Sequence, residues 1–259
     1  MRISSNNMTD ILGKPKNEYD PIGAKNRLAC AKSYLDHAGQ LIYSYGSRTF
    51  LSGYEIYDPE HDNRGNIDCS TFVLLVLAGI SYEESPYGTG TIEGLKAKAS
   101  GRVISELVDL DHLPEKYVGV AERIGRPYLA GPRGLDLNKA EERGISLETL
   151  KEEIRATGTG RRSVKIAEYY QNEDACFLDA SEAQPGDLVF FRSKGFFQED
   201  GRIIAANKEI THVGIVAEDT SMMIQSSGTY QKNEDSPAVS LEPIFGKRDV
   251  AFFVRPAKE

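Results

Sequence analysis

Cys69 lies between an acid and a hydroxyl, in Asp68-Cys69-Ser70, just before an uninterrupted apolar run at residues 72–80. Asp68 is a suitable N-cap, so the run predicts a buried helix with Cys69 in its first turn; a buried strand is the alternative. Helix-start N–H groups and the helix dipole favour a thiolate there, whereas the Asp68 carboxylate opposes it, so a cationic partner is expected. Cys69 is therefore a candidate nucleophile; the alternative is a small buried apolar side chain.

A histidine and a glutamine in two successive predicted strands could complete a catalytic set. A two-residue loop at 218–219 would place His212 directly opposite Gln225. A four-residue loop would make them diagonal neighbours on one face, and a three-residue loop would put them on opposite faces. With either even loop, Gln225 can orient the imidazole, which gives a nucleophile, a base and an orienting group. Spacing alone does not place Cys69 beside His212.

The other cysteines and histidines do not indicate a metal site. The chain has an odd number of cysteines, widely scattered and without a Cys-x-x-Cys pair: Cys30, Cys69 and Cys176. That pattern predicts neither a disulfide framework nor a structural zinc. The four histidines show no His-x-x-x-His spacing, so we expect no metal and no other cofactor.

Net charge and hydropathy limit the classes of partner and the cellular location that we expect for this protein. The net charge of −8 argues against a general nucleic-acid or anionic-membrane surface. No apolar run is long enough to span a bilayer, and the first residues lack the apolar core of a signal peptide. We therefore expect a cytoplasmic protein without a transmembrane segment. The alternative is an extracellular or cell-wall protein that leaves by another route or whose leader is missing here. The sequence does not predict the oligomeric state.

The chain before Cys69 predicts an arm, a helix and a loop. Residues 1–23 are polar and are expected to form an N-terminal arm. Apolar residues recur at helical spacing over 24–45, and Gly46 is expected to end that helix. Four tyrosines fall in or after it and either line a cleft or pack against the buried helix: Tyr43, Tyr45, Tyr54 and Tyr57.

Residues 82–160 predict a helical insertion that interrupts a catalytic domain spanning 24–255. Gly- and Pro-rich breakers separate short helical patterns near residues 91–100, 102–109, 114–124 and 147–156. Ser146 is a suitable cap for the last of these. We expect the insertion to lie over or beside the cleft; solvated decoration of the surface is the alternative.

The last third of the chain predicts a sheet. Ser163 is expected to cap a short helix, and Gln184-Pro185-Gly186-Asp187 predicts a tight turn. Short strands follow at residues 188–191, 210–216, 222–227, 238–241 and 250–254, with a loop or hairpin at 192–209. Helices followed by short strands indicate an α+β domain with an antiparallel sheet, on which the Cys69 helix packs.

Four motifs, in this order, resemble the NlpC/P60 family of papain-like cysteine peptidases. They are Asp68-Cys69-Ser70-Thr71-Phe72-Val73, Gln184-Pro185-Gly186-Asp187-Leu188-Val189-Phe190-Phe191, Thr211-His212-Val213-Gly214-Ile215-Val216 and Met223-Ile224-Gln225-Ser226-Ser227. The resemblance covers residues 24–81 and 161–255. It implies the papain-like fold of that family, with Cys69 as nucleophile, His212 as base and Gln225 as third polar residue. The family more often has His at the third position.

The resemblance also implies a substrate. Family members cut bacterial cell-wall peptides, and in some members an Asp and a Ser beside the nucleophile, with an Arg-x-Ser, hold the free amino end of an L-Ala-γ-D-Glu-type peptide. Asp68, Ser70, Arg161 and Ser163 match those positions.

We therefore expect a γ-D-glutamyl-diamino acid endopeptidase that acts on peptidoglycan-derived peptides. Two alternatives remain open. One is an acyltransferase or amidase of the same superfamily, and the other is a catalytically idle wall-binding or phage-structural module.

Overall fold

The structure is a computed structural model that describes residues 21–43, 57–58, 62–99, 130–131, 134–136, 141–142, 144–149, 162–172, 175–193, 197–199, 202–205, 209–228, 237–246 and 248–256. Its described helices are α1 (Pro21–Asp36), α2 (Cys69–Leu77), α3 (Ile92–Ala99) and α4 (Arg162–Asn172), with 3-10 turns at Ala38–Gln40 and Ala180–Glu182. Its described strands are β1 (Leu41–Tyr43), β2 (Tyr57–Asp58), β3 (Arg64–Ile67), β4 (Ala130–Gly131), β5 (Gly134–Asp136), β6 (Cys176–Phe177), β7 (Leu188–Arg192), β8 (Phe197–Glu199), β9 (Arg202–Ala205), β10 (Ile210–Val216), β11 (Met222–Ser226), β12 (Val239–Pro243) and β13 (Asp249–Val254). The mixed α+β class predicted from the sequence is confirmed.

A six-stranded sheet carries the last third of the chain, in the order β12-β11-β10-β7-β13-β6. Every described pairing within it is antiparallel, as predicted. Helix α2 packs against β10 and β11, and it also contacts α1 and α4. Alternate strand residues fill two apolar clusters, so that Phe190 and Val213 join the core with the helices while Phe191 and Met223 join a second cluster.

Helix α2 is the buried central helix that the apolar run predicts. All nine of its residues are buried, which its uncharged sequence permits. It ends at Ala78, where Gly79 adopts φ +66, a left-handed conformation that glycine adopts without a steric penalty. The N–H of Gly79 then donates to the Val76 carbonyl, and the N–H of Ile80 donates to the Leu75 carbonyl. This closing motif satisfies two end carbonyls of the helix. No helix in the described ranges is long and apolar enough to cross a membrane.

The first helix is shorter than its apolar spacing predicts. It starts at Pro21, within the expected arm, and ends at Asp36, well before Gly46. Leu41 instead begins β1, which pairs in parallel with β3, the strand that leads into Asp68. Leu41 and Ile42 fit helical spacing, but strand pairing with β3 takes them out of the helix, so that part of the prediction is wrong.

The predicted turn at 184–187 is confirmed and locks two strands together. Gly186 has φ +89, and the Asp187 N–H donates to the Gln184 carbonyl over 3.1 Å. The Gly186 N–H donates to Val216 at the end of β10. The Asp187 carboxylate accepts from Arg255 Nη2 over 3.0 Å, and both side chains are buried. Burial raises the pKa of Asp187, and the Arg255 hydrogen bonds oppose that shift.

The segment 82–160 is not purely helical, which corrects the predicted insertion. Helix α3 matches the pattern near 91–100, but β4 and β5 belong to a second sheet of order β4-β5-β9-β8. The 192–209 segment contributes β8 and β9 as a hairpin. Local apolar spacing indicated only helices because two- and three-residue strands leave no readable alternation. The expected helices near 102–109 and 114–124 lie outside the described residues.

The beginning of this segment belongs to the main core. Tyr87 and Leu95 are buried in the same cluster as α2. The Tyr87 hydroxyl donates to the Asn66 carbonyl over 2.5 Å, next to the strand end that leads to Cys69. Residues 87–95 therefore help to hold β3 in place, and replacing 86–159 by a linker would remove part of the core.

Candidate active site

Cys69 is the first residue of α2, as predicted. The N-cap Asp68 has extended backbone geometry, and its Oδ1 accepts from the Thr71 N–H over 2.7 Å and from the Ser70 hydroxyl over 2.8 Å. Both bonds satisfy groups at the helix start. The thiol of Cys69 thus lies where helix-start N–H groups and the dipole favour negative charge.

The three cysteines differ in their place rather than in their burial. All three are free and buried, with Cys69 only 6% exposed. Cys30 lies within α1, where its Sγ donates to Asn26 Oδ1 over 3.9 Å, and Cys176 lies in the edge strand β6. Of the three, Cys69 is the one at a helix start, so electrostatics rather than access sets it apart.

The β10–β11 hairpin has a four-residue loop. Ile215 faces Ile224 in its register, and the Ala217 N–H donates to the Met222 carbonyl over 2.9 Å. The Asp219 carboxylate accepts from both the N–H and the hydroxyl of Ser221, and these bonds shape the loop. His212 and Gln225 are therefore diagonal neighbours on one face. The two-residue loop that would oppose them directly is not formed.

Gln225 contacts His212 as the even-loop prediction requires. His212 Nε2 and Gln225 Oε1 are 2.5 Å apart, and both side chains are buried. A carbonyl oxygen only accepts, so Nε2 carries the hydrogen. The lone pair of the neutral imidazole is then on Nδ1, which is the nitrogen that can accept a proton.

The histidine is also supported from β7. His212 pairs with Phe191, and their ring centroids are 5.7 Å apart. The pairing skips one residue between Ile210 and His212, a bulge that places Thr211 outside the regular ladder. Bulges redirect neighbouring side chains, so this irregularity helps to set the direction of the imidazole.

A glycine leaves room for the diagonal contact. A Cβ added at Gly214 would lie 3.5 Å from the Gln225 Cβ and 3.0 Å from Met223 Sδ. Gly214 thus lies across from Gln225, and any larger side chain there would occupy the space beside its stem. A glycine two residues after His212 is visible in the sequence, but the alternation of apolar and polar residues does not indicate that it lies across from Gln225.

Arg248 is a site residue that sequence analysis missed. Its Nη1 donates to Gln225 Oε1 over 3.0 Å, and its Nη2 donates to the Ser227 hydroxyl over 2.7 Å. It lies just before β13, and no spacing or motif in the sequence connects it with Gln225. Charge supplies no signal either, since Arg248 follows Lys247 in what looks like an ordinary solvated turn.

Of the four tyrosines that the sequence analysis considered for a cleft, Tyr43 is described close to this site. A Cβ added at Gly228 would lie 2.5 Å from the Tyr43 ring, so the ring packs directly on that glycine. Tyr43 also pairs with Ile67 at the end of β3. It therefore lies between the strand that leads to Cys69 and the end of the strand that carries Gln225. Tyr45 and Tyr54 lie outside the described residues.

Among the predicted substrate residues that the structure describes, Asp68 and Ser70 bind each other, whereas Ser163 makes a different contact. Ser70 is hydrogen-bonded to Asp68, as described above. Ser163 is the second residue of α4 rather than its cap, and its buried hydroxyl donates to the Ile210 carbonyl over 3.2 Å. Ser163 therefore joins α4 to β10 at Ile210, two residues before His212. Arg161 lies outside the described residues.

The elements that carry Cys69 and His212 are neighbours, because α2 packs against β10. Within the described ranges, no three His, Cys, Asp or Glu side chains are grouped so that they could hold a metal ion. The arrangement offers a helix-start thiol, an imidazole held by an amide oxygen, and a guanidinium on that same oxygen.

No protein-family model matches the chain, and the searches of curated proteins and of solved structures return no match either.

Proposed function

We propose that the protein is a cysteine peptidase that hydrolyses an amide bond in bacterial cell-wall peptides. The observation that carries the proposal is the 2.5 Å contact between His212 Nε2 and Gln225 Oε1, on a strand that packs against the helix begun by Cys69. Nucleophilic catalysis by cysteine needs an activated thiol and an imidazole held in one tautomer, and the contact with Gln225 supplies the second of these.

The reaction proceeds through a thioester. Nδ1 of His212 takes the thiol proton of Cys69, and Sγ attacks the carbonyl carbon of the scissile amide. Backbone N–H groups at the start of α2 hold the oxyanion. The imidazolium returns its proton to the leaving amine, the C–N bond breaks, and the acyl group remains on Sγ. Water then attacks the thioester, with His212 again as base, and releases the carboxylic acid and the free thiol.

Wall peptides are the proposed substrates because four ordered motifs resemble peptidases of that class. The buried Asp68 lies beside Cys69, and its carboxylate is the acidic group nearest in sequence to the nucleophile. A charge-assisted contact between that carboxylate and a free α-amino group would select short peptides with an uncapped amino end. On this proposal Asp68 both caps α2 and recognises substrate, with Ser70, Arg161 and Ser163 as further substrate contacts.

The test is digestion of purified muropeptides, with the new amino and carboxyl ends identified by mass spectrometry. We expect cleavage between D-glutamate and the diamino acid, and no cleavage by Cys69→Ala. Cys176→Ala is the matched control, because it removes a thiol of similar burial from β6. Products joined to an added amine instead of water would indicate an acyltransferase. No turnover and no trapped thioester with any muropeptide would leave the idle module as the correct reading.

A further inference from the structure

Arg248 reaches the candidate site from a distant part of the sheet. The strand order separates β13 from β11 by β7 and β10, and β12 is the edge strand beyond β11. The chain between β12 and β13 must therefore cross the sheet. Ile244 shows where it crosses, because it is buried in the cluster that contains Phe191 and Met223. The crossing segment thus brings Arg248 to the side of the sheet where the Phe191 ring meets His212.

The guanidinium fixes which way the Gln225 amide points. Gln225 Oε1 receives Nη1 of Arg248 as well as Nε2 of His212. A guanidinium has only donors, so an amide rotated by half a turn would point its NH₂ group at Arg248 and at the imidazole N–H. The Arg248 contact would then become donor against donor, whereas the imidazole could still accept from that NH₂ group by moving its hydrogen to Nδ1. Arg248 therefore favours the one amide orientation that accepts from His212.

The Phe191 ring also lies near both Arg248 and His212. Arg248 Cζ lies 5.8 Å from the centroid of the Phe191 ring, within the range of a cation–π contact. The same ring lies 5.7 Å from the His212 ring. Arg248 and His212 therefore share two neighbours, the Gln225 amide oxygen and the Phe191 ring.

Ser227 keeps the guanidinium in place. Its hydroxyl accepts from Nη2 over 2.7 Å while Nη1 binds Gln225, so two nitrogens of the planar group are held at once. Both acceptors are at least 96% buried, which limits competition from water. Asp249, the next residue, pairs instead with Arg192 over 3.0 Å. The carboxylate nearest in sequence is therefore directed at another arginine.

We propose that Arg248 is a positioning residue that holds Gln225 with its oxygen toward His212 and so keeps the basic lone pair of the imidazole on Nδ1. The inference deepens the proposed function and rests on it, since it assumes that His212 is the base. Arg248 acts through Gln225 and does not touch the reacting atoms.

The kinetic test is a double-mutant cycle on muropeptide hydrolysis. Arg248→Met should lower kcat about tenfold with KM within about twofold, whereas in a Gln225→Ala background it should lower kcat no further. Arg248→Lys should recover part of the loss, because an ammonium still donates to Oε1 but lacks the planar fork. Arg192→Met is the matched control for a lost arginine at this end of the sheet and should leave kcat within about twofold.

A spectroscopic readout separates failure of this inference from failure of the proposed function. The ¹⁵N shifts of the His212 imidazole report its tautomer without any substrate. We expect mainly the Nε2–H form in the wild type and a measurable Nδ1–H fraction in Arg248→Met. A tautomer change without wall-peptide hydrolysis would uphold the positioning role and reject the substrate. An unchanged tautomer, or a kcat loss equally large in the Gln225→Ala background, would overturn the positioning role.

Discussion

Replacing Gln225 by alanine isolates the contact on which the site depends. The change removes the acceptor 2.5 Å from His212 Nε2 and leaves a buried N–H without that partner. An unsatisfied buried donor costs about 1–3 kcal/mol. If the imidazole meets this cost by leaving its reactive orientation, kcat should fall about 5- to 150-fold, because each 1.36 kcal/mol is about tenfold in rate.

The loss should appear in kcat rather than in KM, because Gln225 orients the base and does not bind substrate. Gln225→Met should behave like Gln225→Ala, since it keeps the length of the side chain but has no strong acceptor. Gln225→His should retain activity, because a histidine nitrogen can also accept from Nε2. These variants distinguish the acceptor from the bulk that the side chain supplies.

The assay is steady-state hydrolysis of one muropeptide, with urea unfolding of each variant to correct for the fraction folded. Ser240→Ala is the matched control, because Ser240 in β12 pairs directly with Gln225 in β11. We expect that control to leave kcat within about twofold. Full wild-type kcat in both Gln225→Ala and Gln225→Met would refute the orienting role.

Three further predictions use other parts of the structure. Iodoacetamide at neutral pH should alkylate Cys69 faster than the two other cysteines, and His212→Ala should slow that reaction; equal rates at all three thiols would contradict an activated Cys69. A peptide with a free amino end should have a kcat/KM about ten- to hundredfold above that of its acetylated form, and Asp68→Asn should abolish the difference; an unchanged ratio would leave Asp68 as a cap alone. Asp187→Ala should lower the free energy of unfolding by about 3–5 kcal/mol, because it leaves Arg255 buried without this carboxylate. Burial raises the pKa of Asp187, so the folded protein binds that proton more tightly than the unfolded chain does. The free energy of unfolding of the wild type should therefore rise relative to that of the variant as the pH falls from neutral toward about 3.9, the ordinary pKa of an aspartate. A difference in unfolding free energy that shrinks on acidification would contradict this.

The parts of the fold that follow from sequence are those in which local and tertiary preferences agree. Helix α2 combines a cap at Asp68 with an uncharged apolar run, so its local signals agree with its burial in the fold. Leu41 shows the opposite case, because its spacing fits a helix while pairing with Gly65 makes it a strand residue. Such a parallel partner lies too far along the chain for any local pattern to reveal it.

The site was partly predictable for the same reason. His212 and Gln225 lie in one hairpin, so parity alone restricted their relation to a few registers. The Asp219 and Ser221 side chains decide among those registers by closing a four-residue loop, and their spacing is a usable signal for that choice. Arg248 was not predictable, because its contact with Gln225 depends on a crossing connection rather than on adjacent strands.

The place of β13 in the sheet has a consequence for biosynthesis. This last described strand is interior, between β7 and β6; it pairs with β7 from Asp249 to Val254 and with β6 at Phe253 and Val254. The sheet therefore cannot close while the ribosome still holds residue 254. Until then β7 has one unpaired edge, which is a template for association with other chains.

A premature stop just before Asp249 would thus remove more than a terminal strand. It would leave β6 without the strand it pairs with, delete Arg255 from the buried Asp187 carboxylate, and expose the edge of β7. We expect such truncated chains to aggregate and to be degraded.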